Sequence, residues 1–339
     1  MKTGRPKIIT YREAIREAFQ QSMSKNSGIF LMGCGVSSPD AIFGSIRGLL
    51  KRFGKNRVIE TPIAENGMAG VCIGTALCGM HPVLIFQRID FALMAMDQIV
   101  NHAAKWHYMY GGKMHVPFLL RGVIGRGWGQ GAQHSQSLQS LFAHIPGLKV
   151  VMPSSPRDAK GLLISSLKDK NPVVFLEYRS LYDLKEEVPK EYYSIPLGRG
   201  RIVKPGNDIT VVAISGMVEE AKKAAKQLKK DKIDIEIIDP RSLKPLDEEL
   251  ILRSIKKTGR LLIADTGWRT CGCGAEIAAL AADTGYKHLK APVKRISLAE
   301  CPAPNSQYLE KIFYPGPMEI VRVIKQLVSV NGGRCSKRR

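Results

Sequence analysis

The chain has 339 residues, 44% of them hydrophobic, which suits two domains with sizeable cores rather than one. It contains no run of about 18 apolar residues, and the basic start MKTGRPKIITYREAIREAF has no apolar h-region; this argues against a membrane span or a secretory signal and leaves a soluble cytoplasmic protein as the expectation. The formal charge of +21 would suit nucleic acid, a membrane surface or an acidic partner, but the basic residues are spread out and no nucleic-acid-reading motif accompanies them.

Short apolar runs alternate with longer helical patterns, the mark of an α/β chain with mainly parallel sheets. In the first half, strands are expected at Gly28–Met32, Pro82–Gln87, Pro117–Arg121, Leu148–Met152 and Pro172–Leu176. Helices are expected at Tyr11–Ser24, Gly67–Gly79, Leu93–Tyr108 and Pro156–Asp169. The last opens with Ser154-Ser155-Pro156, a capping residue followed by a helix-compatible proline. A less patterned stretch covers Tyr178–Asp208. The alternation then restarts, with strands at Ile209–Ile214, Ile233–Ile238, Gly259–Ala264 and Val293–Ser297. Helices between them are expected at Met217–Lys229, Asp247–Lys257, Gly274–Ala282 and Pro317–Val328. The division is therefore a first domain over 1–190, a linker over 191–208, a second domain over 209–329 and a basic tail over 330–339.

The lysine-rich run Lys222–Lys232 falls on the polar side of a helix, so it reads as a solvated face. Seven cysteines, at 34, 72, 78, 271, 273, 301 and 335, are odd in number and irregular in spacing, which does not describe a disulfide framework. Cys271 and Cys273 lack a second Cys/His pair at zinc-site spacing, so reduced thiols are the better reading. The glycine-dense stretch Gly122–Gly131 has neither a P-loop ending nor the GxGxxG pattern followed by a helix and a distant acid. It reads as a loop that lets backbone approach a ligand.

Two stretches carry chemistry. In Glu60-Thr61-Pro62-Ile63-Ala64-Glu65-Asn66-Gly67-Met68-Ala69-Gly70, a carboxylate precedes a helix rich in small residues. On local grounds alone, Glu65 is a helix-terminal charge or cap. In Ala132-Gln133-His134-Ser135-Gln136, a histidine sits beyond the glycine-rich loop, a place that leans toward function.

At these residues the chain resembles the β subunit of the decarboxylating component of 2-oxo acid dehydrogenases, the pyruvate and branched-chain types. The stretches that carry the resemblance are TPIAENGMAG, MDQIVNHAAK, GAQHSQS, HIPGLKVVMP, DAKGLLISSLKDKNPVVFLE and GWRTCGCGAEI, in order across roughly residues 8 to 325. The resemblance implies a pyrimidine-binding thiamine-diphosphate fold followed by a transketolase C-terminal-like α/β domain. It implies that Glu65 hydrogen-bonds a ring nitrogen of the cofactor's aminopyrimidine and exchanges a proton with it, a task a glutamine could not perform. It places Ile63 against the same ring and Phe91 in stacking contact with it. His134 matches a histidine expected to bind the oxo acid or its products and to support acyl transfer to a lipoyl group. Phe118, Ser166, Asp169 and Asn171 match a potassium site built mainly from backbone carbonyls, against which a plain helix-to-strand turn is the alternative.

In this family Mg²⁺ carries the diphosphate on a GDG motif and a downstream Asn, and no GDG occurs in this sequence. A separate α-type chain is therefore the expected partner, with the site at an α/β interface of an α₂β₂ tetramer, possible association with a lipoyl acyltransferase, and a 2-oxo acid as substrate. Some features depart from the family. Gly33-Cys34-Gly35-Val36 stands where two acidic residues are usual; Arg88 and Asp90 replace smaller or neutral residues beside Phe91; Arg126 and Trp128 enrich the loop before His134. A chain at +21 is also a poor electrostatic match for an acyltransferase with a basic docking module. Two further functions therefore stay open: a thiamine-diphosphate carboligase or transketolase-like subunit of a specialised pathway, and a noncatalytic basic scaffold or nucleic-acid-binding protein.

Overall fold

A computed structural model describes residues 6–329; the basic tail 330–339 lies outside the described residues. The first half runs β1 (Lys7–Thr10), α1 (Tyr11–Lys25), β2 (Ile29–Gly33), α2 (Leu49–Phe53), β3 (Val58–Glu60), α3 (Glu65–Leu77), β4 (His81–Phe86), α4 (Trp106–Met109), β5 (Leu119–Ile124), α5 (Gln139–His144), β6 (Lys149–Val151), α6 (Pro156–Lys168), β7 (Val173–Tyr178) and β8 (Lys185–Val188). The second runs β9 (Arg201–Lys204), β10 (Ile209–Ala213), α7 (Met217–Leu228), β11 (Ile235–Asp239), β12 (Ser242–Lys244), α8 (Glu248–Thr258), β13 (Leu261–Trp268), α9 (Cys273–Asp283), β14 (Lys294–Leu298), α10 (Gln307–Phe313) and α11 (Pro317–Ser329).

Local chemistry starts these helices where the sequence places them. Thr10 and Glu13 form a reciprocal capping box at the start of α1. The Ser155 hydroxyl accepts the Asp158 amide ahead of Pro156 in α6, and Asp247 accepts the Leu250 amide in α8. The two capped helices α1 and α6 pack together, burying Ile15, Ala18 and Phe19 of one and Ala159, Leu162 and Leu163 of the other. Each large apolar side chain buried in this way contributes roughly 1.5–3 kcal/mol.

Seven strands form the first sheet in the order β12-β6-β7-β5-β4-β2-β3. All neighbours are parallel except β12 and β6. Strand β2 lies between β3 and β4, so the chain leaves β2 on one side and returns on the other. Such a reversal leaves a crevice beyond the carboxyl ends of the strands. The second sheet is β14-β13-β10-β11-β9, parallel except for β9. Strand β12 leaves the second half to pair with β6, which ties the halves together.

The structure adds the short β1, β3, β12, α2, α5 and α10 to the expected elements and departs from them further in two stretches. The helix expected over Leu93–Tyr108 is broken into a 3₁₀ turn at Ile89–Ala95, a π-helical turn at Gln98–Ala103 and the short α4. Apolar spacing there matches a helix, but the wider and tighter turns aim successive side chains differently from an α-helix, a pattern found at functional sites. The stretch Tyr178–Asp208 also contains two strands. Strand β8 pairs antiparallel with β1, and β9 with β11. The charged sequence KEEV of β8 hides that pairing from a search for apolar runs.

Polar contacts join the two halves as well. Asp158 on α6 is fully buried between the guanidinium groups of Arg201 (2.9 Å) and Arg241 (2.8 Å). Asp239, at the end of β11, accepts the Ser154 hydroxyl; burial and the neighbouring Asp158 charge push its carboxyl well above the usual range. Asp265 on β13 accepts the Gln139 side-chain amide at 2.8 Å. Burial raises its carboxyl from 3.8 to about 6, against the opposing pull of the Gly267 amide and Gln139. The folded state therefore holds this proton at pH values where the unfolded chain has released it. On account of this group, stability is greatest below about pH 4 and falls as pH rises toward and past 6. Asp265→Asn should remove that slope. In urea denaturation, the stability difference between variant and parent should shift in the variant's favour as pH rises from 4 to 7, and a pH-independent difference would contradict the assignment.

Candidate active site

The crevice at the strand reversal is built from four turns. Strand β2 ends in Gly33-Cys34, β3 in Glu60-Thr61, and β4 in Phe86-Gln87, while α3 begins at Glu65. Of these, Gly33, Cys34, Thr61, Glu65, Phe86 and Gln87 line a cavity of about 190 Å³ together with Ile63, Met68 and Phe91. Pockets that bury whole small ligands run to roughly 300–1,000 Å³, so this one takes a single ring rather than a large molecule.

Glu65 is the first residue of α3, where a carboxylate complements the helix dipole. It is not spent as a cap: its Oε2 is buried and has no hydrogen-bond partner. A buried acceptor left open costs about 1–3 kcal/mol, so a donor arriving in the cavity gains what the folded chain forgoes. Ile63 is 80% exposed and Phe91 37% exposed, so both present apolar surface to the cavity they line. An unpaired carboxylate oxygen beside apolar and aromatic surface fits a flat, nitrogen-bearing ring.

His134 does not line the cavity itself. Its ring meets Phe91 edge-on, 5.2 Å between centroids at 79°, so it stands one side chain away from the ring position. The structure thus brings Ile63, Glu65, Phe91 and His134 into one cluster. Phe118, Ser166, Asp169 and Asn171 lie elsewhere, at the corner where α6 leads into β7. There the Phe118 and Ser166 carbonyls accept the Val173 and Asp169 amides, and Asp169 accepts the Asn171 amide and the Lys149 ammonium. The Asn171 Oδ1 is buried without a partner.

Other residues of the crevice carried no readable signal in the sequence. The Glu60 carboxylate accepts the backbone amides of Gly35 and Ser37 and the Ser37 hydroxyl, which holds the turn after β2 in place. Burial works the other way, yet these donors keep its carboxyl below the usual 4.5. Gln87 donates to the Cys34 carbonyl at 3.2 Å and closes the same turn from the β4 side. Position at the carboxyl end of a strand was the available clue for both. The carboxylate that caps this turn, after Gly33-Cys34-Gly35, comes from Glu60. A larger cavity of about 840 Å³, between α5 and α9, shares no residue with this crevice.

Comparison with known proteins bears on this geometry. Residues 7–185 match the transketolase pyrimidine-binding domain and residues 198–320 the transketolase C-terminal domain. The chain is 42% identical to the acetoin:2,6-dichlorophenolindophenol oxidoreductase subunit beta of Bacillus subtilis, over 95% of this chain and 98% of that protein. It is 41% identical to the pyruvate dehydrogenase E1 component subunit beta of Rickettsia bellii, over 94% of this chain and 98% of that one. Among solved structures, a split-gene transketolase in an inactive β₄ tetramer superposes with a TM-score of 0.77 at 21% identity, over 95% of this chain and 99% of that one, a likeness of fold.

Gly35 adopts φ +79°, and a Cβ there would stand 2.0 Å from the Gln87 amide nitrogen. Gly35→Ala should therefore displace Gln87 and destabilise the fold by more than about 1 kcal/mol. Denaturant unfolding checks this; an unchanged midpoint would show that the turn is looser than described.

Proposed function

The chain belongs to the family of β subunits of thiamine-diphosphate-dependent 2-oxo acid dehydrogenases, and on that premise we propose that it decarboxylates a 2-oxo acid and passes the acyl group to lipoamide, together with an α-type chain. The observation that carries the reading is the unpaired, buried Oε2 of Glu65, on a residue that lines a cavity large enough for one ring.

Thiamine diphosphate, when bound, supplies the electron sink for decarboxylation. The chain's own residues perform simpler tasks. Glu65 holds and exchanges a proton at Oε2, which a carboxyl can do and a carboxamide cannot. Ile63 and Phe91 would hold the pyrimidine ring through the apolar surface they present to the cavity. His134, packed on Phe91, would meet the oxo acid or its products, and its imidazole can donate or accept a hydrogen bond there.

Half of the site comes from elsewhere on this reading. No GDG occurs in the sequence, and among the described residues no group of three or more His, Cys, Asp or Glu side chains could hold a metal ion. Mg²⁺ and the diphosphate then belong to the α-type partner, in an α₂β₂ assembly. The reading includes a potassium ion at the α6–β7 corner, held mainly by backbone carbonyls of Phe118, Ser166, Asp169 and Asn171; the open Oδ1 of Asn171 supports it. A lipoyl acyltransferase is the onward acceptor.

A second reading is a carboligase of the same cofactor class. The replacement of the family's acidic pair by Cys34-Gly35, and the buried Arg88 and Asp90 beside Phe91, favour it. Lipoamide-dependent acyl transfer by the mixed chains supports the first reading; acyloin formation without it supports the second. In the reconstituted pair, Glu65→Gln should lower the decarboxylation rate by about 10²–10⁴-fold while changing cofactor affinity far less. Parental turnover from that variant would remove Glu65 from the mechanism.

A further inference from the structure

The segment from Gly125 to Gln136 carries His134 away from β5 without a helix or strand of its own, and it contains glycines at 125, 127, 129 and 131. A stretch with so much backbone freedom presents an imidazole in one place only if it is held from outside. Two sets of contacts do so. From the corner after β4, Arg88 donates to the Gly125 carbonyl at 3.1 Å and to the Gln130 side chain at 2.5 Å, and Asp90 accepts the Gln136 amide at 3.2 Å. These neighbours of Phe91 hold both ends of the segment in the first domain.

The middle is held by the second domain. Glu310 on α10 is fully buried, and its carboxylate accepts the Arg126 guanidinium at 3.2 Å and the Gly129 amide at 3.3 Å. Tyr314, just beyond the same helix, donates its hydroxyl to the Ser135 carbonyl at 3.4 Å, on the residue next to His134. The contact is close: a Cβ on Gly129 would stand 2.7 Å from the Asn305 carbonyl oxygen. A carboxylate removed from water needs full pairing, and both of these contacts of Glu310 go to the segment that bears His134.

We propose that Glu310 is a positioning residue: through Arg126 and Gly129 it sets His134 against Phe91, so that the second domain governs the geometry of a site built in the first. The inference rests on the reading of His134 as a group of the active site. A fold-stabilising ion pair with no bearing on His134 is the competing account.

The test uses the assembled α/β enzyme with thiamine diphosphate and Mg²⁺. Glu310→Gln keeps the shape of the side chain and removes the ion pair. Hydrogen–deuterium exchange across residues 125–136 should then quicken, while exchange in β10 and β13 stays at the parental rate. The turnover number should fall roughly 10- to 100-fold, as misplacement of a reacting group does. The double variant Glu310→Gln/His134→Ala should be no slower than His134→Ala alone. Multiplying losses, or unchanged exchange in the segment, would overturn the proposal. Should Glu310→Gln fail to fold, Arg126→Gln cuts the same pair from its more exposed side and must give the same pattern. An assembled enzyme that binds the cofactor but shows no decarboxylation would refute the function; the exchange measurement would still decide whether Glu310 holds the segment.

Discussion

A buried carboxylate oxygen without a partner is a standing cost to a folded chain unless something arrives to share a proton with it. Glu65 holds such an oxygen, and the arrangement around it keeps it open. Strand β2 sits between its two sequence neighbours, so three strand ends and the start of α3 converge on one crevice. Glu60 and Gln87 are hydrogen-bonded to the Gly33–Ser38 loop and hold it in place. Ile63 and Phe91 supply surfaces that no side chain of this chain covers fully. Order in the crevice comes from backbone turns and the side chains that brace them.

The same logic extends to the second domain. The two halves share a strand, since β12 pairs with β6, and they share buried charge at Asp158 and Glu310. Those contacts join the first domain's sheet and its glycine-rich loop to one body. The second domain thereby acts on the crevice at a distance, through the segment that bears His134. The lysines of α7 have no such role. On α7, Lys222 and Lys223 pair with Glu219 and Glu220 one turn away, on a solvated helix face.

Legibility in the sequence followed the range of the interaction. Helices α1 and α6 were readable because their starts are written in three or four adjacent residues, Thr10 with Glu13 and Ser155 with Pro156. The buried parallel strands were readable as continuous apolar runs. The Leu93–Tyr108 helix was misread because apolar spacing does not distinguish α from π and 3₁₀ turns. Strands β1 and β8 went unseen because each becomes a strand only beside the other, more than 170 residues apart in the register Lys7 to Val188. In the site, Glu65 read locally as a cap, and family motifs around it suggested more. Glu310 left no mark at all, because its partners Arg126 and Gly129 lie 184 and 181 residues away.

We propose that this chain carries half of a cofactor site. Isothermal titration of thiamine diphosphate with Mg²⁺ tests it most directly, first into this chain alone and then into its mixture with an α-type chain that bears a GDG motif. The expected result is no saturable binding to the chain alone and one site per α/β pair in the mixture, with binding heat that changes in Glu65→Gln. Tight, Mg²⁺-dependent binding to the isolated chain would contradict it.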